Sequence, residues 1–180
     1  MKTKNLISFL LPLAFLLLFQ TCTRHPGTPV IGLMMDQFNV ERWAQDTAAF
    51  IKAVKDQKGK VICVVANGDP AKQLEQAKML IRKKVDVLVI VPVDLNKAAD
   101  IVAAANKASI PTISYDRLIR NSAVDYYVSF DNVKIGELQA DYIRQQLGKG
   151  TVALIGGPAS DQNSFFLRCG QIGALQPFID

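Results

Sequence analysis

The chain has 180 residues, enough for a compact α/β core, and a formal charge of +5 that falls to +3 if Lys2 and Lys4 leave with an N-terminal leader. Its basic residues are scattered, as in "KAVKDQKGK" and "IRKKVD", rather than striped with aromatics, so they read as solvated helix faces and not as a nucleic-acid surface. The CxxC, HExxH and calcium-loop patterns are absent from the chain, so no metal or other cofactor is expected.

A hydrophobic fraction of 49% is high for an exported or cytosolic domain, but the excess has a local source. Residues 1–21 read "MKTKNLISFLLPLAFLLLFQT", two lysines followed by an apolar core from about Leu6 to Phe19. That pattern is a secretory signal peptide, too short for a membrane span. The next residue is Cys22, and "LFQTCT" looks like a lipoprotein signal, in which the cysteine becomes the acylated N-terminus. The expectation is export, with attachment to a bacterial membrane only through that lipid. Residues 22–28 then form a Pro/Gly spacer that includes His25, the only histidine. Cys63 lies in the apolar run "VICVV" and Cys169 in a predicted helix, and a disulfide between them is left open.

From residue 29 two periodicities alternate. "PVIGLMM" (29–35), "KVICVVA" (60–66), "VDVLVIV" (85–91), "PTISY" (111–115), "YYVSF" (126–130) and "TVALIGG" (151–157) are short apolar, β-branched runs. Strands covered on both faces have this composition. Between them, 40–54 carries Val40, Trp43, Ala44, Thr47, Phe50, Ile51 and Val54 at helical spacing, and 70–84, 95–108 and 133–147 carry similar stripes. Repeated strand–helix units predict an α/β, doubly wound parallel sheet. Right-handed crossovers place every strand's C-terminal end on one edge, where ligands of such folds bind.

The residues predicted at that edge are unusual. After the first strand come Asp36, Gln37, Phe38, Asn39, Glu41, Arg42 and Trp43; after the second, Asn67, Gly68 and Asp69; after the fourth, Asp116 and Arg117. After the sixth come Gly156, Gly157, Pro158, Asp161, Gln162 and Asn163, with Arg168 one helical turn further on. No Gly-rich phosphate loop occurs at these junctions. Aromatics mixed with carboxylates, guanidiniums and carboxamides suit a sugar instead. Hydroxyls pair with acceptors and with forked donors, while the C–H face of the ring stacks on an aromatic. A missing hydroxyl leaves a buried polar group unpaired, at about 1–3 kcal/mol. Each residue also has a plainer reading. Trp43 can be core, Glu41 and Arg42 a surface pair, "YDR" a turn, and Asn163 and Arg168 surface residues.

"GLMMDQFNVERWAQD", "VVANGD", "VDVLVIVPVD", "IPTISYDRLI", "YYVSFDNVKIGELQA" and "IGGPASDQNSFFLRCGQ" together resemble the periplasmic D-xylose-binding proteins of ABC sugar importers, of the type I family that also holds ribose- and galactose-binding proteins. The resemblance implies the periplasmic binding protein type I fold: two doubly wound lobes joined by a hinge and closing over one sugar. It implies that Arg42 and Trp43 of "ERW", Asp116 and Arg117 of "YDR", and Asn163 and Arg168 line the ligand. Gln37 and "FNV" depart from the family's pattern, which bears on the choice of pentose.

Family members are longer, so the resemblance implies a C-terminally truncated clamshell. Residues 29–129 would form the N-terminal sugar-binding lobe, and 130–180 the hinge and the first part of the second lobe. The implied protein is a monomeric, non-enzymatic, lipid-anchored periplasmic receptor that takes D-xylose or a similar pentose to an ABC permease. The alternative is the periplasmic sugar-sensing domain of a signalling protein. A repressor core sharing this fold would need a helix-turn-helix where the leader stands. An enzyme would need an activated nucleophile or paired carboxylates, and none stands out.

Overall fold

The computed structural model describes residues 27–157 and 161–178. The leader, Cys22 and His25 lie outside the described residues. Five strands form: β1 (Val30–Met35), β2 (Lys60–Val65), β3 (Val87–Ile90), β4 (Thr112–Tyr115) and β5 (Tyr126–Val128). All pair in parallel, in the order β2-β1-β3-β4-β5. Helix α1 (Glu41–Asp56) links β1 to β2, α2 (Pro70–Arg82) links β2 to β3, and α3 (Ala99–Lys107) links β3 to β4. After β5 come α4 (Asn132–Leu147), α5 (Gln162–Leu175) and a short 3₁₀ turn, Gln176–Phe178.

Alternation along the strands sorts the core into two layers. On one face, Met34, Leu88 and Ile90 pack with Ala77 and Leu80 of α2 and with Ile101, Val102 and Ala105 of α3. On the other, Leu33, Met35, Val89 and Val91 pack with Trp43 of α1, against half-buried Phe50 and Tyr115. Helices on both faces of a parallel sheet make this the doubly wound α/β fold expected from the alternation.

Helix starts follow local chemistry. Asp69 accepts from the amides of Ala71 (2.8 Å) and Lys72 (3.0 Å), and Pro70 occupies the first turn, where its missing N–H costs nothing. Asp131 accepts from Lys134 (2.9 Å) to cap α4, and Asp161 from Asn163 (3.0 Å) to cap α5. Helix α3 begins at Ala99 rather than near residue 95, because Asp94 turns the chain first by accepting from the amides of Asn96 and Lys97 (2.9 Å each).

The run "TVALIGG" does not form the expected sixth strand. Residues 151–157 have no strand pairing and are all exposed, with Ile155 at 97%. A strand exists through its ladder, and none of the five strands pairs with this segment. Its composition suits a strand, but among the described residues it has no sheet to join. Helices α4 and α5 pack instead on each other. A side chain on Gly136 would collide with the Leu167 carbonyl, and one on Gly170 with the Val133 carbonyl. The two backbones therefore touch. Their outer faces leave Leu138, Tyr142, Leu147 and Phe165 exposed.

Candidate functional site

The strand order reverses at β1: the chain moves from β1 to β2 on one side and then crosses to β3 on the other. Crevices form at such a switch point, beyond the strands' C-terminal ends. The register aligns Met35 with Val65, Met34 with Ile90, and Tyr115 with Val128. Asp36, Asn67, Pro92, Asp116 and Ser129 therefore start their loops at one edge.

Two buried carboxylates and two guanidiniums meet there. Asp116, 4% exposed, accepts at Oδ1 from Arg42 Nη2 at 2.5 Å. Asp36, 5% exposed, accepts at Oδ2 from Arg117 Nη1 at 2.8 Å, and the same nitrogen also reaches the Pro92 carbonyl at 3.1 Å. A buried carboxylate is tolerated only when charge and hydrogen bonds compensate it, and both carboxylates obtain an arginine. Trp43 lies between the pairs: Arg42 Cζ is 4.6 Å from the Trp43 ring centroid and Arg117 Cζ is 5.6 Å. Each guanidinium is thus held by a carboxylate and by the electron-rich face of one indole.

Trp43 fits the periodicity reading in that it is 4% exposed and part of the α1-side core. Its ring also carries both arginines, which spacing alone does not reveal. Asn163, at the start of α5, donates from its Nδ2 to the Asp116 carbonyl (3.2 Å) and to Asp116 Oδ2 (3.1 Å). Five of the six sequence-predicted ligand residues (Arg42, Trp43, Asp116, Arg117 and Asn163) therefore gather in one network. Arg168 does not join it. Arg168 is exposed on α5 and makes no hydrogen bond or ion pair among the described residues.

Several residues that the sequence did not single out as site residues support the cluster. Asp46, one helical turn beyond Arg42, pairs with Arg42 Nε at 3.4 Å and accepts from the Tyr115 hydroxyl at 2.9 Å. Ser129 Oγ (2.7 Å) and the Tyr127 hydroxyl (3.3 Å) donate to the Asp116 carbonyl. Phe130 places its ring 5.9 Å from Arg42 Cζ and is 66% exposed. The i, i+4 spacing of Arg42 and Asp46 was a usable signal, as was the position of Asp36 directly after β1. Burial of Arg42 works against its charge, but the hydrogen bond and charge of Asp116, with Asp46 and Tyr115, outweigh it and hold the guanidinium pKa above its ordinary value. Burial, then the hydrogen bond to Asp46, pushes the Tyr115 phenol up.

Asp116 itself has φ of 63°, in the left-handed region that non-glycine residues seldom occupy. Its amide donates to Val128, its carbonyl accepts from three side chains, and both carboxylate oxygens are bonded. A strained residue so fully held at the C-terminal edge of a sheet is a feature found at functional sites. Among the described residues no group of three or more His, Cys, Asp or Glu side chains could hold a metal ion, and no helix is long and apolar enough to cross a membrane. Cys63 and Cys169 are free thiols, the first half-buried and the second exposed.

Charged and aromatic groups are thus gathered at the switch point of a doubly wound sheet, the place where α/β folds of this kind bind ligands. Residues 31–177 match the model of the periplasmic binding protein domain, and the chain belongs to that family. It is 36% identical over 180 residues to the D-xylose-binding periplasmic protein of Escherichia coli (strain K12), an alignment that covers all of this chain and 54% of the relative. A solved carbohydrate transporter solute-binding protein of Chloroflexus aurantiacus, in complex with D-glucose, superposes with TM-score 0.77 at 37% identity, over 84% of this chain and 45% of that one. The fructose-binding periplasmic domain of a hybrid two-component system superposes with TM-score 0.74 at 25% identity, over 84% and 51% respectively. The chain spans about half the length of the curated relatives it matches.

Proposed function

We propose that the protein binds a neutral monosaccharide, D-xylose or a related pentose, as the substrate-binding component of an ABC carbohydrate importer. The observation that carries this reading is the pair of Arg–Asp contacts, each on a buried aspartate, flanking Trp43 at the switch-point edge. Forked donors and carboxylate acceptors fixed in advance suit a ring of hydroxyls, because little side-chain entropy remains to be lost on binding. In this reading Arg42 and Arg117 donate to hydroxyls, Asp116 accepts, Trp43 walls one end of the pocket, and Asn163 and Arg168 approach from the second lobe. Residues 29–129 form the first lobe and 130–180 the hinge and start of the second. Closure turns about Phe130–Asn132. The protein acts without catalysis, as a monomer exported through its 1–21 leader and held to the membrane by acylated Cys22. The D-xylose-binding relative supports the sugar class, and the carbohydrate transporter solute-binding protein of Chloroflexus aurantiacus supports the importer role.

A periplasmic sensor is the second reading, favoured by the likeness to the fructose-binding domain of a two-component system. Both readings share the site. Isothermal titration of the purified protein with D-xylose, D-ribose and D-glucose tests it. Saturable binding, tightest for D-xylose, is expected. Absence of heat with all three sugars sinks the sugar-binding reading.

A further inference from the structure

We infer that Asp36 is a specificity-determining residue of the cleft, anchoring Arg117 through Oδ2 and accepting a ligand hydroxyl at Oδ1; the inference rests on the sugar-binding reading above. Asp36 directly follows β1 at the strand-order reversal and is 5% exposed. Its Oδ2 is satisfied by Arg117 at 2.8 Å, whereas Oδ1 is buried with no hydrogen-bond partner among the described residues. Buried polar atoms are rarely left unpaired, so one at a binding edge calls for a partner the ligand supplies.

The chemistry of that partner follows from the donor set. A carboxylate only accepts, so the group facing Oδ1 must donate. Four buried side-chain atoms lack partners among the described residues: Asp36 Oδ1, Asn163 Oδ1, Gln76 Oε1 and Arg144 Nε. The first two belong to residues of the network around Asp116 and Arg117, and both are acceptors. Both arginines of the network, Arg42 and Arg117, are already matched by an aspartate, so neither is free of a carboxylate for an anionic ligand. Unpaired acceptors beside neutralised cations select a neutral ligand with hydroxyl donors. A sugar acid or sugar phosphate would bring further acceptors and negative charge to the same place.

The main chain of Asp36 has a separate task. Its carbonyl accepts from the amides of Asn67 (2.6 Å) and Gly68 (3.4 Å), joining the first loop to the second. Those bonds survive replacement of the side chain, so Asp36→Ala should fold.

Dissociation constants of D-xylose and its 2-, 3- and 4-deoxy analogues, measured by protein-observed NMR on the wild-type protein, Asp36→Ala and Asp36→Asn, test the assignment. In the wild type, one deoxy analogue should bind roughly tenfold more weakly than D-xylose. In Asp36→Ala, D-xylose itself should weaken at least as much, and that same deletion should cost nothing further, while the other two analogues lose the factors they lose in the wild type. Asp36→Asn removes the negative charge facing Arg117 and leaves one acceptor oxygen for two donors, so it should weaken D-xylose binding and blunt the discrimination against that deoxy analogue. Parallel losses across all four sugars in Asp36→Ala, or no loss at all, overturn the inference while leaving sugar binding intact. Failure of the wild type to bind D-xylose overturns the functional reading, and this inference with it.

Discussion

The side-chain amide of Asn163 bridges to Asp116, 47 residues earlier, donating to its carbonyl at 3.2 Å and to its Oδ2 at 3.1 Å. Through this contact the start of α5 is tied to the strand edge that carries Arg42 and Arg117. Removing the amide leaves a buried carboxylate oxygen without its donor, at about 1–3 kcal/mol. Asn163→Ala should therefore lower the opening free energy of amides in the first turns of α5 by about that amount, with β1 and β3 unchanged, as read by native-state hydrogen exchange. Asn163→Asp should be worse, because it sets one carboxylate against another. Equal protection in all three proteins would show that the contact holds nothing.

Asp116 combines a left-handed backbone with bonded side-chain oxygens, and the two can be separated by substitution. Both Asp116→Ala and Asp116→Gly lose the contacts with Arg42 and Asn163. Only glycine removes the backbone strain, which for alanine amounts to about 1 kcal/mol. In urea denaturation both variants should be less stable than the wild type, and Asp116→Gly more stable than Asp116→Ala by about 1 kcal/mol. The reverse order would mean that φ at residue 116 is not strained.

The fold was legible because buried parallel strands and amphipathic helices write different periods, and five strands and the linking helices appear where those periods change. "TVALIGG" misled because its period is that of a strand, whereas strand formation also needs a neighbour that no local pattern records. At the site, Arg42, Asp116 and Arg117 were legible as residues lying beyond strand ends. Their pairing was not: Arg42–Asp116 and Arg117–Asp36 span 74 and 81 positions, and only the sheet order brings them together. Trp43 shows the limit most clearly. Its spacing places it correctly in the core, and nothing local says that two guanidiniums lie against its ring.

Three helical glycines give opposite expectations. Gly136 and Gly170 lie where α4 and α5 touch, and a Cβ on either would strike the facing backbone, which cannot yield as a side chain can. Gly136→Ala or Gly170→Ala should push the helices apart at about 1–3 kcal/mol. A Cβ on Gly173, on α5 as well, would meet nothing within 4 Å. Gly173→Ala should stabilise α5 by about 0.5–1 kcal/mol through backbone entropy alone. Hydrogen exchange of α4 and α5 amides reads both signs in one experiment. Similar behaviour of all three variants would refute the packing.

The Tyr115 phenol and the Cys63 thiol share one alkaline signature. Burial, then the hydrogen bond to Asp46, raises the Tyr115 pKa, and burial raises that of Cys63. Folded states that hold a proton more tightly than the unfolded chain keep that stability below the unfolded pKa and lose it as pH rises through the folded one. Stability should thus be level near neutrality and fall through the alkaline range, above roughly pH 9–10, where free thiols and phenols ionise. In a Cys63→Ala background, Tyr115→Phe should cost about 1 kcal/mol at pH 7 for the lost bond to Asp46 and flatten the alkaline decline. Urea midpoints from pH 7 to 11, with absorbance at 295 nm following phenolate formation, check both parts. An unchanged alkaline slope in Tyr115→Phe would assign the decline to other groups.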